Sequence, residues 1–389
     1  MSAVGSMQAE HLEGDSHERR VSPLELFFDL VFVFALTQIT AFLASHLTWG
    51  GVLQGMALLA ALWGAWTGYS WLTNAVPADG CDTRQAHYPL RHGGDARGLP
   101  RRPRRFRPRW GDLRPRLLRG AAPGGGPPGA LSLAHARGAA GHPPAGPGFL
   151  VGPALLVVAG FLDDSAQGAL WFLALVINFG GPFVFGVLGF KIHAGHFVER
   201  HGLIIIIALG ESIVAIGVGA SEVGLGAGVI LASLLGVAVA ASLWWAYFDY
   251  VVLLAERRLS GARGHERARL ARDSYSYLHL PMLAGIVFVA LGVKKTLAHI
   301  GDPLGTIPAV ALCGGVALYL LGHNAFRLRD AGSVSVLRLV VAALSCALIP
   351  VGTQVPAILT LGTLAALLVA FVAAETLYWR EDRGKLRTH

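Results

Sequence analysis

Apolar residues occur along this chain in long runs that are nearly free of charge. A run of about 20 apolar residues is long enough to cross the hydrocarbon core of a membrane as a helix. The chain contains ten such windows, of which the third is short: Leu24–Leu43, Gly51–Leu72, Gly148–Leu162, Ala169–Phe190, Leu203–Val218, Leu225–Phe248, Leu278–Leu297, Ile307–Leu321, Val334–Val351 and Pro356–Trp379. The pattern predicts an all-α fold, a polytopic bundle of transmembrane helices with ten visible spans.

The composition argues against a soluble enzyme of the usual kind. Charged residues make up 14% of the chain and hydrophobic residues 53%, and the mean hydropathy is +0.53. An ordinary soluble domain contains about 25% charged residues. The three cysteines do not suggest a disulfide framework. We expect polar tails at residues 1–23 and 381–389, with transmembrane regions at 24–77 and 148–380.

The distribution of Lys and Arg predicts the orientation of the spans. Basic residues precede the first span, crowd alternate connections and end the chain, whereas the connections at 44–50, 163–168 and 219–224 contain neither Lys nor Arg. Basic connections stay in the cytoplasm by the positive-inside rule. We therefore expect a protein of the cytoplasmic membrane with both termini cytoplasmic. Lys294 and Lys295 are the exception, because they lie at the outer end of their span.

Residues 78–147 break the apolar pattern. They contain 13 Gly, 11 Pro and 13 Arg, and no Val, Ile, Met, Lys, Glu or Asn. Three interpretations compete: a disordered loop, an Arg-rich arm for lipid head groups or RNA, and translation of part of the gene in the wrong frame. We favour the wrong frame, because the apolar pattern resumes abruptly inside the third span. An intact relative would then have twelve spans.

Several segments resemble the bacterial low-temperature requirement protein A (LtrA) family. The opening run, SPLELFFDLVFVFALTQ, is Ser22–Gln38. The resemblance continues in Glu199–Gly217, in Leu243–Asp249 and from Tyr275–Met282 to Gly292–Lys295. It covers about residues 21–77 and 148–380 and fails between them. The family implies a multi-spanning membrane protein named for growth in the cold, and it implies no established reaction, substrate or catalytic residue.

Two acidic residues begin the first span. Ser22, Pro23 and Glu25 fit a capping box, with Ser22 as the N-cap and Glu25 at the third helical position. Asp29 lies one turn deeper on the same face, and capping does not explain it. Two carboxylates at this spacing repel each other. We expect Asp29 to face the bundle interior and to pair with a cation or bind a proton.

Glu211 is the most informative single residue in the sequence. It is the tenth residue of the run 202–219, which is otherwise uncharged, so the pattern places it near the bilayer midplane. A charged acid at that depth costs on the order of 2.5–3.5 kcal/mol on insertion scales. The sequence leaves two alternatives open, a protonated structural glutamate and a proton or ion site. Candidate cationic partners are Arg200, His201, His279 and Lys294.

These residues favour a non-enzymatic carrier or channel. Its candidate intramembrane proton or ion site comprises Glu25, Asp29, His201, Glu211, His279, Lys294 and Lys295. The alternatives are an intramembrane lipid-modifying enzyme and a membrane scaffold or sensor. We expect no catalytic residue, metal or other cofactor, and no nucleic-acid partner. The expected partners are membrane lipids and a proton or cation, and homo-oligomerisation stays open.

The orientation is testable with a reporter that is active only in the periplasm. Fused after Lys385, it should be silent, because the basic C-terminal tail is expected to stay in the cytoplasm. The same reporter in the connection 219–224 should be active. Activity at the first site would overturn the topology.

The wrong-frame interpretation is testable by peptide mapping of the protein from its native source. Peptides containing Phe106–Trp110 as written should be missing, and retranslation of the DNA between shifts near Gly80 and Gly148 should give two apolar spans. Detection of the written peptides would contradict a frame error. An Arg-rich arm would then be expected to bind anionic lipid or RNA with strong salt dependence.

Overall fold

The described part of the chain is a bundle of helices. The computed structural model describes residues 21–75, 148–162, 164–184, 186, 192–249 and 251–378. The α-helices are α1 (Pro23–Ser45), α2 (Trp49–Ala75), α3 (Gly148–Ala159), α4 (Asp164–Val184), α5 (Ala194–Val223), α6 (Ala227–Phe248), α7 (Val251–Gly261), α8 (Gly264–Leu270), α9 (His279–Ala298), α10 (Thr306–Ala309), α11 (Gly315–Ala331), α12 (Val336–Gly352) and α13 (Ala357–Tyr378). Two π-helical segments, Ala271–Tyr277 and Val310–Gly314, precede α9 and α11. The predicted all-α transmembrane bundle is confirmed.

The number of spans differs from the sequence-based count. Each of the ten predicted windows overlaps a described helix, and seven helical stretches of the described chain are long and apolar enough to cross a membrane. Helix α3 has only 12 residues and α12 has 17. Helix α2 is long enough, but its glycines and polar residues lower its hydropathy. The count of ten therefore stays a prediction, and the predicted aberrant segment 78–147 lies outside the described residues.

Helix α9 occupies the centre of the bundle. It packs most extensively against α5 on one side and α11 on the other. Two glycines allow its backbone to approach its neighbours closely. A Cβ atom on Gly285 would lie 2.6 Å from the carbonyl oxygen of Gly315, and one on Gly292 would lie 2.6 Å from the Cα atom of Leu312. Small residues at such crossings are the usual means of tight helix packing in membranes.

The first π-helical segment, Ala271–Tyr277, follows the Arg-rich helix α8 and leads into α9. A π-helix widens the turn and leaves carbonyl groups available to side chains. The carbonyl oxygen of Ser276 accepts a hydrogen bond from Trp63 Nε1 on α2, and that of Ser274 accepts one from His279 Nδ1. The segment therefore connects α2 to the start of α9.

The close approach at Gly285 predicts that alanine at this position destabilises the protein, although alanine in place of glycine usually stabilises a helix. Gly285→Ala should lower the free energy of unfolding by roughly 1–3 kcal/mol, because the new methyl group overlaps backbone atoms that cannot give way. Gly217→Ala is the matched control, since no other described atom outside its own helix backbone lies within 4 Å of a Cβ at that position. That control should be neutral or stabilising, because alanine favours a helix over glycine. Thermal unfolding in detergent measures both, and equal effects would contradict the packing.

Candidate functional site

The first helix begins with the predicted capping box. The backbone N–H of Ser22 donates to Glu25 Oε2 at 2.9 Å, and the N–H of Glu25 donates to Ser22 Oγ at 3.3 Å. Pro23 occupies the first turn. The capping interpretation of Glu25 is confirmed. The same carboxylate also contacts α5, so capping is only part of its environment.

Arg200 of α5 lies between the two acidic residues of α1. Its Nη2 atom is 2.8 Å from Asp29 Oδ1, and its Nη1 atom is 3.2 Å from Glu25 Oε1. All three side chains are at most 2% exposed. The guanidinium group also lies over the rings of Trp66, at 5.5 Å, and Tyr69, at 5.2 Å. One arginine thus offsets the repulsion between two neighbouring carboxylates.

Asp29 accepts a second hydrogen bond on the same oxygen. Trp66 Nε1 of α2 donates to Asp29 Oδ1 at 3.0 Å. The other carboxylate oxygen, Oδ2, is buried and has no hydrogen-bond partner among the described residues. Asp29 therefore faces the bundle interior beside a cation, as the sequence led us to expect, but its two oxygens have very different surroundings.

His196, one turn before Arg200, completes this group. Its Nε2 atom lies 3.1 Å from Glu25 Oε2, and its Nδ1 atom lies 3.1 Å from Asn74 Nδ2 at the end of α2. We refer to Glu25, Asn74, Asp29, His196 and Arg200 as the inner cluster. It joins α1, α2 and α5 at the end of the bundle predicted to be cytoplasmic.

Glu211 lies deeper on α5 and is 2% exposed. Its Oε2 atom is 2.5 Å from the hydroxyl oxygen of Thr37 on α1. That hydroxyl group also lies 3.1 Å from the carbonyl oxygen of Val33. Asp29 and Thr37 are eight residues apart, which is roughly 12 Å along a helix axis. Glu211 and the inner cluster therefore occupy two depths of the same α1–α5 interface.

The cationic partners predicted for Glu211 are wrong as direct ion-pair partners. Arg200 pairs with the two acids of α1. His201 and His279 bind elsewhere, as described below, and Lys294 lies 3.8 Å from Glu222, with Glu211 feeling its charge only at longer range. Sequence spacing along α5 could not show that a hydroxyl group of α1 occupies the position beside Glu211.

His201 and His279 meet in the interior rather than at Glu211. Their ring centroids are 5.2 Å apart. His201 Nδ1 donates to the carbonyl oxygen of Phe197 at 2.8 Å. His279 Nδ1 donates to the carbonyl oxygen of Ser274, so its Nε2 accepts from the hydroxyl group of Tyr247 at 2.8 Å. Both side chains are fully buried, and they connect α5, α6 and α9 through polar and aromatic contacts.

The two predicted outer lysines lie at the far end of α9. Lys294 is partly exposed and faces the exposed Glu222 at the end of α5. Lys295, in the last turn, is also partly exposed. The structure does not bring either side chain to the inner cluster. They form a separate charged region at the opposite end of α5.

A second buried ion pair escaped the sequence analysis. Arg338 of α12 donates from Nε and Nη2 to the two oxygens of Glu375 on α13, each at 2.8 Å. It also contacts His323 Nδ1 on α11 and donates to the carbonyl oxygen of Ala246. Arg338 and Glu375 each interrupt an apolar run that we read only as a span. An isolated charge within such a run was the available signal.

Comparisons with known proteins agree with this architecture. The family model described as "Bacterial low temperature requirement A protein (LtrA)" matches residues 20–86 and 136–373. An uncharacterized protein of Rhizobium meliloti (strain 1021) is 27% identical over 340 residues, which are 82% of this chain and 80% of the relative. No solved structure matches the chain. The family match covers both transmembrane regions and is interrupted only within the Arg-, Pro- and Gly-rich segment, so the chain belongs to the LtrA family of multi-spanning membrane proteins.

Proposed function

We propose that the protein is a proton- or cation-coupled carrier or channel of the cytoplasmic membrane, with Glu211 as its intramembrane binding residue. One observation carries the proposal. Glu211 is buried on a 30-residue membrane helix, and within the described ranges no basic side chain forms an ion pair with it. A carboxylate in that position has to be neutralised by a proton or a bound cation.

Three of the four other buried acids in the described residues have arginine partners. Glu25 and Asp29 contact Arg200, and Glu375 contacts Arg338. The fourth, Asp330, accepts a hydrogen bond from Ser274 Oγ at 3.0 Å and lies at the end of α11 rather than in the middle of a membrane helix. Glu211 departs from that pattern. This contrast supports a role for Glu211 beyond packing.

The hydrogen bonds of Thr37 favour a proton on Glu211. The hydroxyl group has one hydrogen but lies within hydrogen-bond distance of two oxygens, the Val33 carbonyl and Glu211 Oε2. A carbonyl oxygen can only accept, so the contact with Val33 uses the hydroxyl hydrogen. The contact with Glu211 is then satisfied when Glu211 is protonated and donates to Thr37 Oγ1.

Further hydroxyl groups surround Glu211. Thr40 is buried on the same face of α1 and donates to the carbonyl oxygen of Leu36 at 3.1 Å. Ser212 Oγ is buried and has no hydrogen-bond partner in the described part of the chain. Oxygen atoms of this kind, with a carboxylate, also suit a hard cation. The surroundings of Glu211 are therefore compatible with exchange between a proton and a cation.

On this proposal the protein acts without a cofactor and is not an enzyme. Its partners are the surrounding lipids and the transported ion, and it needs no nucleic acid. Both termini are proposed to be cytoplasmic, which places the inner cluster on the cytoplasmic side of Glu211. The family description names a requirement at low temperature, and on this proposal the ion flux serves growth in the cold.

Ion flux through purified protein in liposomes tests the proposal. A potassium diffusion potential set by valinomycin provides the driving force, and trapped dyes report protons and sodium ions in parallel. The wild-type protein should conduct one of these ions, and Glu211→Gln should abolish the flux, because glutamine keeps the shape but neither binds a cation nor releases a proton. Glu211→Asp should retain part of the flux.

Glu222→Gln is the matched control. It removes a carboxylate from the same helix at an exposed position, so it should leave the flux unchanged. The proposal is wrong if Glu211→Gln conducts at the wild-type rate. It is equally wrong if neither ion crosses faster than in liposomes without protein.

A further inference from the structure

The inner cluster contains more acidic groups than cationic ones. We propose that it binds one proton at neutral pH and that the carboxyl group of Asp29 holds this proton. The site is separate from Glu211, and the argument does not depend on ion flux. It depends on the charge of His196, which the hydrogen bonds of Asn74 determine.

The orientation of the Asn74 amide is fixed by the backbone. The N–H of His193 donates to Asn74 Oδ1 at 2.9 Å, and Asn74 Nδ2 donates to the carbonyl oxygen of His193 at 3.1 Å. Exchanging the oxygen and nitrogen of this amide would put two donors and two acceptors face to face. The Nδ2 group is therefore the atom that contacts His196 Nδ1 at 3.1 Å.

This contact determines the tautomer of His196. An amide NH₂ group can only donate, so His196 Nδ1 accepts and carries no hydrogen. The remaining ring hydrogen lies on Nε2, which donates to Glu25 Oε2 at 3.1 Å. His196 is thus a neutral imidazole held in one tautomer. Asn74 acts here as a positioning residue.

The charges of the inner cluster then do not balance. Two carboxylates, Glu25 and Asp29, face one permanent cation, Arg200. Among the described residues, the other titratable neighbours do not add a positive charge. Tyr69 lies under the guanidinium group. His201 donates from Nδ1 to a backbone carbonyl, and its buried Nε2 has no partner in the described ranges, so it is neutral as well. One uncompensated negative charge would remain among buried side chains, and an unpaired buried charge is strongly destabilising.

The hydrogen bonds indicate which carboxyl group takes the proton. Glu25 Oε2 accepts from the Ser22 N–H and from His196, and its Oε1, which has no hydrogen bond among the described residues, lies 3.2 Å from the cationic Arg200 Nη1, so both oxygens are stabilised in the ionised form. Asp29 accepts from Arg200 and Trp66 on Oδ1 alone. Its Oδ2 atom is buried and lacks a donor among the described residues. A proton on Oδ2 neutralises the cluster without breaking any of these bonds, although its release depends on all the members together.

Infrared spectroscopy of the purified protein in liposomes can detect this proton. Isotope labelling of aspartate carboxyl groups separates their bands from those of glutamate, including Glu211. Asp330 is also buried without an arginine partner, so the experiment is done in an Asp330→Asn background. The labelled protein should then show a protonated carboxyl band at neutral pH that disappears when Asp29→Asn is added. It should also disappear in Glu25→Gln, where Asp29 is intact, because one carboxylate then balances Arg200.

Glu375→Gln is the control, since it removes a buried acid from the separate pair with Arg338 and should leave the aspartate band unchanged. Glutamine at position 25 can still serve the capping box, so loss of the helix is not expected. Solid-state NMR of labelled histidine should show His196 protonated on Nε2 alone. A doubly protonated His196, the lack of an aspartate carboxyl band, or a band that persists in Glu25→Gln would each overturn the proposal. None of these results depends on the outcome of the Glu211 flux experiment.

Discussion

The cost of removing a charge from water governs the interior of this protein. Hydrocarbon offers no hydrogen bonds, so a buried ionised group persists only beside an opposite charge or after gaining or losing a proton. Arg200 and Arg338, each at most 1% exposed, are the most deeply buried cations of the described interior. Each of these arginines lies near the start of its own helix and pairs with carboxylates of another helix. Among the described residues, Glu211 and Asp330 are the buried acids without such a cation, and of these two only Glu211 lies in the middle of a membrane helix.

These polar contacts depend on how closely the helices pack. Gly285 and Gly292 let α9 approach α11 and the second π-helical segment until backbone atoms nearly touch. This arrangement brings His279 against Tyr247, while α5, on the opposite side of α9, meets α1. The aromatic side chains of Trp66 and Tyr69 then enclose Arg200. Small residues at the helix crossings allow close packing, and large aromatic residues surround the charges. Together they bury the ion pairs away from water.

Sequence reasoning succeeded where the signal is local. The apolar runs located the long apolar helices but not the short polar α7 and α8, and the spacing of Ser22, Pro23 and Glu25 gave the capping box. Both successes depend on neighbouring residues. Partners were harder to predict, since Asp29 and Arg200 are 171 residues apart. Thr37 was not predicted as the neighbour of Glu211 for the same reason, because the two residues are far apart in the sequence. Arg338 was overlooked for another reason, because a single charge hardly lowers the average hydropathy of a long apolar run.

The ion pairs also set conditions on synthesis and membrane insertion. Helix α1 is made long before α5, so Glu25 and Asp29 emerge without their arginine. Both acids lie within the first two turns of α1, where they can stay among lipid head groups until α5 arrives. Arg338 likewise precedes Glu375, but it lies near the start of α12, and a long arginine side chain can reach the interface from there. These charged residues thus lie near helix ends. Each can stay hydrated at the membrane interface until its partner helix is inserted and the two helices pack together.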